Sequence, residues 1–301
     1  MADRRLRVFY VVARSGSFTR AAEQLFMTQP AVTFQIKQLE EHFNARLLER
    51  GHGKVTLTST GQIVYAYAEK ILGMEDELET RMSELSDELL GVLNIGSSTT
   101  IAAYWLPQLL IDFKVAHPKV EPRVMVGNSF LTEQRVAARE IDLGLVEFVS
   151  DDPGIEHIRL GEDELLVICS PTHGLARAKQ LSAETLLEYP LVNRDMGHAF
   201  HSLTTQLFDR AGIDMSSVKV AAELGSLLAV KQFVLQGLGY ALATRRSIAE
   251  DLESGSLVAI PLFPKLSSPI ELVFPRDRFR SRLIETFSEF CEARLGAALS
   301  A

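Results

Sequence analysis

The most constraining stretch of the chain is its first sixty residues, where two short helical patterns meet at a tight turn and are followed by a glycine-rich hairpin. Leu6, Phe9, Val12 and Ala13 recur at helical spacing, and Ser15-Gly16 stops that helix. Ser17 stands as the N-cap of a second helix that contains the small pair Ala21-Ala22, where another helix can cross closely. Phe26-Met27 makes the turn. Thr28 is the next N-cap, and Pro30 falls in the first helical turn, where its missing N–H costs nothing. This third helix runs from about 29 to 42, with Ala31, Phe34 or Ile36, and Leu39 as its inward repeat. Two helices about such a turn are either a plain αα-hairpin or a helix-turn-helix. Leu47–Arg50, Gly51–Lys54 and Val55–Thr58 then read as two strands about a turn, a wing with Arg50 and Lys54 near its tip, and this favours the DNA-binding alternative.

Charge distribution agrees with that reading. The formal net charge is −8, yet residues 1–60 hold nine Lys/Arg against five Asp/Glu, while residues 61–90 hold two against eight. A basic face against the phosphates is what counterion release requires, not a basic protein.

The ordered set Ser17–Leu25, Thr28-Gln29-Pro30-Ala31-Val32-Thr33, Gln38-Leu39-Glu40, Leu47-Leu48-Glu49-Arg50 and Leu57-Thr58 with Thr60-Gly61 closely resembles the LysR-type transcriptional regulators. The resemblance implies binding of double-stranded promoter DNA, control of initiation through RNA polymerase, and assembly as a homodimer or homotetramer. The DNA-binding candidates are Thr28, Gln29, Pro30, Thr33, Phe34 and Lys37, with Arg50 and Lys54 from the wing. Gln reads adenine edges, and a Thr methyl or Phe touches thymine methyls. Phe34 stands where such proteins often carry Arg or another polar residue, so no operator sequence is carried over.

Ser59 and Gln62 have capping-box spacing and open a long helix. Its apolar positions are Ile63, Tyr67, Ile71, Met74, Leu78, Met82, Leu85 and Leu89, with acidic residues on the other faces. A stripe this narrow on a helix this long reads as a coiled-coil seam; the alternative is the solvated helix of a monomer.

From residue 91 the pattern becomes strands alternating with helices, which is α/β. Strands are expected at 92–97, 121–126, 141–147, 164–169, 190–193, 218–223, 239–244, 256–262 and 270–275, and helices near 99–116, 131–139, 199–211, 226–236 and 279–296. Hinge-like crossings at 159–163 and 264–269 divide this region into two lobes, 91–161 plus 267–301 and 162–266. The expected organisation is therefore α/β with an all-α winged helix-turn-helix N-terminal domain (1–58), a long linker helix (59–90), and an effector-binding domain (91–301). The resemblance makes that last domain two-lobed and periplasmic-binding-protein-like.

Effector candidates lie after strand ends, where α/β ligands bind. They are Ser98, Thr99 and Thr100; Asn128 and Ser129; Glu147; Asn193 and Arg194; Gly225 and Ser226. Hydroxyls and free N–H groups at helix starts favour a small molecule or inorganic anion, although Ser98 or Thr99 also reads simply as an N-cap. At 197–201 the chain has Gly-His-Ala-Phe-His where similar regulators of sulfur and carbon assimilation often have Gly-Ser-Gly-Thr-Arg, so their effectors do not transfer.

Several patterns exclude other functions. One carboxylate, Glu147, with no paired acid, base or nucleophile is not an active site, so no enzyme and no cofactor are expected. His198 and His201, at i and i+3, have no Cys or carboxylate partner evident nearby to complete a metal site. Gly237-Leu238-Gly239 leaves a helix rather than opening one, which is a helix stop and not a phosphate loop. Cys169 lies in an apolar strand, and Trp105 and Phe113 read as core. No run approaches the ~20 apolar residues of a membrane span, and the first residues do not form a signal peptide, so a cytoplasmic location is expected. A solute-binding protein is the rival reading for the C-terminal lobes, and the basic N-terminal module argues against it.

Overall fold

The computed structural model describes residues 3–51, 54–83, 88–148, 150, 152–196, 198–276 and 280–300. The chain divides into two compact units, Met1–Asp87 and Glu88–Ala301.

In the first unit, α1 (Arg4–Ser15) starts at Asp3, whose carboxylate accepts the Arg5 N–H, and ends at Gly16. Ser17 caps α2 (Phe18–Gln24), accepting from the Arg20 N–H. The turn passes through Phe26 into α3 (Gln29–Phe43). Thr28 occupies the N-cap position of α3, but its side chain makes no capping bond. The inward residues of α3 are Val32, Ile36 and Leu39, packed with Leu6, Phe9, Val12, Ala21 and Ala22. Ala31 and Phe34 are therefore not core residues; Phe34 is 57% exposed. The wing strands β1 (Leu48–Gly51) and β2 (Lys54–Leu57) pair antiparallel from Leu48↔Leu57 to Gly51↔Lys54.

Helix α4 (Ser59–Ser83) is opened by Thr58, not by Ser59: the Thr58 hydroxyl accepts the Gly61 N–H at 2.9 Å and donates to the Arg46 carbonyl. Gly61 is required by close approach, since a Cβ there would lie 2.0 Å from the Leu47 carbonyl oxygen. Ala68 and Leu72 turn into the unit's interior.

The second unit is built on a six-stranded sheet of order β4-β3-β5-β10-β6-β9 and a parallel pair β7-β8. The elements in chain order begin with β3 (Gly91–Ser98), α5 (Thr99–Tyr104), α6 (Leu106–Ala116), β4 (Val120–Gly127), α7 (Ser129–Ala137) and β5 (Leu143–Val146). They continue with β6 (Ile155–Cys169), α8 (Ala183–Leu186), β7 (Leu191–Arg194), α9 (Ala199–Arg210), β8 (Val220–Leu224) and α10 (Leu227–Leu235). They end with β9 (Ala241–Thr244), α11 (Ala249–Glu253), β10 (Val258–Pro275) and α12 (Arg282–Ser300).

The helix expected over 99–116 is broken at Trp105, because Pro107 cannot donate to the turn before it. The strands expected at 164–169 and at 256–262 and 270–275 are parts of two much longer ones. Strands β6 and β10 pair antiparallel along most of their length, and the two polar crossings face each other there, Asp163↔Ser268 and Glu162↔Pro269. Cores lie to either side of this crossing, one at each end of the ribbon. One holds Leu93, Phe113, Leu145, Phe274 and Phe287; the other holds Val167, Leu191, Phe200, Phe208 and Tyr240. No described helix is long and apolar enough to cross a membrane.

Candidate functional site

On the N-terminal unit the first turn of α3 is free of the core. Thr28, Gln29, Pro30, Phe34 and Lys37 are exposed. Thr33 is half-buried, its hydroxyl donating to the Gln29 carbonyl at 3.1 Å. Lys37 Nζ lies 3.7 Å from Glu41, one turn further along the outer face. Arg50 and Lys54 stand at paired positions of the wing, next to its tip; their side chains lie outside the described residues.

Along α4, Ile63, Tyr67, Ile71, Met74 and Leu78 are all exposed, and Met74 is 70% exposed. These five are the first part of the expected seam. Leu85 and the side chain of Met82 lie outside the described residues. Leu89 does not continue the seam; it lies beyond the described helix and packs on the Leu93–Phe287 core of the second unit.

In the second unit the ends of three parallel strands and the start of α5 converge. Ser98 closes β3 and caps α5, accepting the Ile101 N–H at 3.2 Å. Thr100 is buried beside it. Glu147 follows β5 and is 5% exposed; its backbone N–H reaches the Ser129 hydroxyl at 3.4 Å. Burial pushes the Glu147 carboxyl up to about 7, against the hydroxyls of Ser98 and Thr100 and the charge of Arg194, which pull it down; Asp163 adds to the rise. A buried carboxyl in this range holds its proton until near neutrality.

Arg194 ends β7 and is 2% exposed. Its Nη2 donates to the Thr99 hydroxyl at 3.3 Å and the Gly225 carbonyl at 3.2 Å, while its Nε and Nη1 have no hydrogen-bond partner among the described residues. Burial pulls the guanidinium below its ordinary range, opposed chiefly by Glu147. Among the described residues Arg194 forms no ion pair, so its charge is compensated only through space.

Ser98, Thr99, Thr100, Ser129, Glu147, Arg194 and Gly225 are thus brought together. Three candidates are not. Asn128 caps α7, its side-chain oxygen accepting the Leu131 N–H at 2.7 Å. Ser226 is exposed at the start of α10 and makes no capping bond. Asn193 is buried with its Nδ2 unpartnered, but successive strand residues face opposite ways, so it does not share the face of Arg194.

Other residues at the site escaped sequence reading. Asp163 is buried at the ribbon crossing and accepts the Arg246 N–H at 3.4 Å; burial raises its carboxyl, with Thr244, Arg246 and Trp105 opposing. Arg246 donates to the Tyr104 carbonyl at 3.3 Å and lies over the Trp105 ring at 5.3 Å. Trp105 is therefore only half core: it packs on the first core and also carries a cation from the other side of the ribbon. Phe113 is fully interior. The sequence signal for Asp163 was hidden in Gly161-Glu162-Asp163-Glu164, which reads as a solvated turn.

Apparent rival sites are occupied otherwise. His198 Nδ1 lies 2.9 Å from Asp195 Oδ1, and burial together with the Arg194 charge holds the imidazole below its ordinary value. Among the described residues no three His, Cys, Asp or Glu side chains could hold a metal ion. Both cysteines are free and buried; burial pushes Cys169 up to about 11 and Cys291 higher still, which suppresses the reactive thiolate. Gly237, at a φ of 79°, ends α10 as a helix stop does.

Comparison with known proteins adds the following. Residues 4–62 match the bacterial regulatory helix-turn-helix protein, lysR family, and residues 86–296 match the LysR substrate binding domain. A probable RuBisCO transcriptional regulator of Nostoc sp. is 31% identical over 290 residues, spanning 94% of this chain and 86% of that protein. The hydrogen-peroxide-bound mutant of Corynebacterium glutamicum OxyR is 25% identical with a TM-score of 0.66, over 98% of this chain and 93% of that one. A full-length OxyR mutant from Pseudomonas aeruginosa shares the fold at a TM-score of 0.75 and 19% identity, over 98% and 94% of the two chains.

Proposed function

The chain belongs to the LysR family of DNA-binding transcriptional regulators, and we propose that a small anion held at the buried Arg194 guanidinium governs when it acts on its promoter. It is a regulator and not an enzyme: a helix-turn-helix domain, an effector-binding domain and an oligomeric assembly are its parts.

The observation that carries the anion is the pair of unpartnered Arg194 donors, Nε and Nη1, in a side chain that is 2% exposed. Leaving charged donors dry is costly, and a carboxylate or oxyanion remedies it with short charge-assisted hydrogen bonds. Ser98, Thr99 and Thr100 supply hydroxyls from one core, and Arg194 reaches them from the other. An anion shared between them favours one lobe angle over another, which is the differential affinity that a ligand-driven shift needs. Glu147, protonated near neutrality, offers an O–H donor rather than a repelling charge.

On the DNA side, Gln29, Pro30, Thr33 and Phe34 meet base edges, and Thr28, Lys37 and the wing residues Arg50 and Lys54 meet phosphates. The exposed stripe of α4 pairs with a second copy, and two such dimers form the tetramer; the assembly then works on RNA polymerase at the promoter, in the cytoplasm, with no cofactor beyond the effector.

The test is a thermal-shift series on the full chain at pH 6 with phosphate, sulfate and small carboxylates, followed by gel shifts on DNA beside its own gene. One anion should raise the melting temperature and alter a salt-sensitive DNA complex. Stabilisation by neutral sugars of similar size, with none by any anion, would refute the reading.

A further inference from the structure

The three helices of the N-terminal bundle all end on a residue in the left-handed region, and one of the three is the wrong type. Gly16 after α1 has a φ of 61° and Asn44 after α3 has 48°; these are the residue types that tolerate the conformation. After α2 the position is held by Phe26, at a φ of 52°. The Phe26 N–H donates to the Glu23 carbonyl at 3.2 Å and the Met27 N–H to the Ala22 carbonyl at 2.9 Å, the paired bonds of a Schellman ending. A Cβ crowds its own carbonyl there, and a glycine would relieve it.

Among the described residues nothing within the unit compensates. The Phe26 ring is 98% exposed, so it adds no burial in exchange for the strain. Strain at a defined position is a pointer to function when the surrounding fold enforces it. The ring stands two residues before Thr28, and Thr28, Gln29 and Pro30 are exposed in an unbroken run at the end of α3 that a helix-turn-helix presents to the major groove. Phe34, one turn further on in α3, is exposed as well.

We propose that Phe26 is a DNA contact, its ring lying against apolar groups of the duplex at the mouth of the groove that α3 enters. This rests on the DNA-reading surface described above and extends it to a residue in the turn. The chemistry it recognises is a thymine 5-methyl group or a deoxyribose face, both apolar and both present at a groove edge. The position carries no charge of its own, so it adds contact without adding to the phosphate count.

The experiment uses the full chain as wild type, Phe26→Gly, Phe26→Leu and Gln29→Ala. The probes are the tightest duplex that the wild type selects from a random pool, the same duplex with deoxyuridine for thymine, and an unrelated duplex of equal length. Phe26→Gly should raise the first thermal transition by about 2–4 °C and weaken the selected duplex about fivefold to tenfold. Phe26→Leu should keep part of the affinity. If the contact is a thymine methyl, deoxyuridine weakens the wild type more than it weakens Phe26→Gly, which keeps only the methyl contacts of Thr33 and Phe34. If it is a sugar, the loss is equal on both duplexes.

Unaltered affinity in Phe26→Gly overturns the proposal, and so does a loss accompanied by a lower melting temperature, which would assign the effect to the turn. A changed oligomer mass by light scattering would make a second copy the occupant and overturn it equally. Gln29→Ala separates the two failures: if it loses affinity while Phe26→Gly does not, only the Phe26 contact is wrong, and if neither does, the reading of α3 is wrong as well.

Discussion

The N-terminal unit and the C-terminal unit place opposite kinds of groups in the wrong medium. On the first, Ile63, Tyr67, Ile71, Met74 and Leu78 run along the outside of α4, and Phe26 and Phe34 stand in solvent in the turn before α3 and on α3 itself. In the second, Arg194 Nε and Nη1, Asn193 Nδ2 and the Tyr240 hydroxyl are inside and have no hydrogen-bond partner among the described residues. Exposed apolar surface is relieved by something large, because a helix of 25 residues presents a stripe about 37 Å long. Buried polar groups are relieved by something small enough to enter. The difference separates the partners by size: macromolecules for the first unit, a ligand for the second.

The largest effect should come from the stripe. Met74→Glu with Leu78→Glu places two charges per chain in a symmetric seam, four in the dimer. At about 1.5 kcal/mol for each apolar side chain lost, association weakens by on the order of 6 kcal/mol. Light scattering at micromolar concentration should then report half the wild-type mass or less. An unaltered mass would make the stripe a solvated face and remove half of the comparison.

Inside the second unit the sharpest probe is Glu147. Its carboxyl has an ordinary value of 4.5 and is raised to about 7 in the fold. The folded chain therefore holds this proton more tightly than the unfolded one. The stability it contributes is fully present below about 4.5 and is lost as pH rises through about 7. A shift of this size corresponds to about 3 kcal/mol. Asp163 and Glu133 are raised too, mainly by burial, and act in the same direction. Glu147→Gln removes one of the three titrations. Denaturation at pH 4.5 and pH 8 should show the variant gaining about 3 kcal/mol on the wild type between the two. A difference that stays constant with pH would mean that Glu147 is hydrated in solution.

Arg194→Met is the complementary change. A buried cation replaced by an apolar chain of similar length should leave the ligand-free melting temperature unchanged or raised. What should vanish is the anion response, which at a hundredfold excess over the dissociation constant is about 2.7 kcal/mol in the wild type. A variant that still responds to the anion in full would move the ligand away from this guanidinium.

The two units also differ in how much of them could be read from residues alone, and for the same reason: range. Gly16, Ser17 and Pro30 act within four residues of where they stand, and the bundle they specify is the one observed. Reading failed there where two alternatives share a spacing, as when Val32 rather than Ala31 turns inward, or where a neighbour does the work, as when Thr58 rather than Ser59 opens α4. In the second unit the β6–β10 ribbon joins Asp163 to Ser268, and no local pattern announces a pairing over that distance. Ser98, Thr100, Glu147 and Arg194 were legible as residues at strand ends. Their burial was not, because it depends on α5 and β7 meeting across the ribbon. The break at Trp105 is the exception: Pro107 stood in the sequence, and its missing N–H was enough to predict it.

The smallest expected effect tests whether the first unit's partner is nucleic acid through electrostatics as well as apolar contact. Lys37 is exposed on the outer face of α3, and its Glu41 neighbour at 3.7 Å is too solvated to hold it. A lysine that neutralises one phosphate releases about one counterion, so Lys37→Ala should reduce the slope of log affinity against log salt by about 1. Because a phosphate carries no sequence information, the loss should be equal for the selected duplex and for an unrelated one. Gln29→Ala should do the reverse, weakening the selected duplex by about 1–3 kcal/mol with little change in salt slope. A Lys37→Ala loss confined to one duplex would place that side chain at a base edge, and the division of α3 into phosphate and base contacts would have to be redrawn around it.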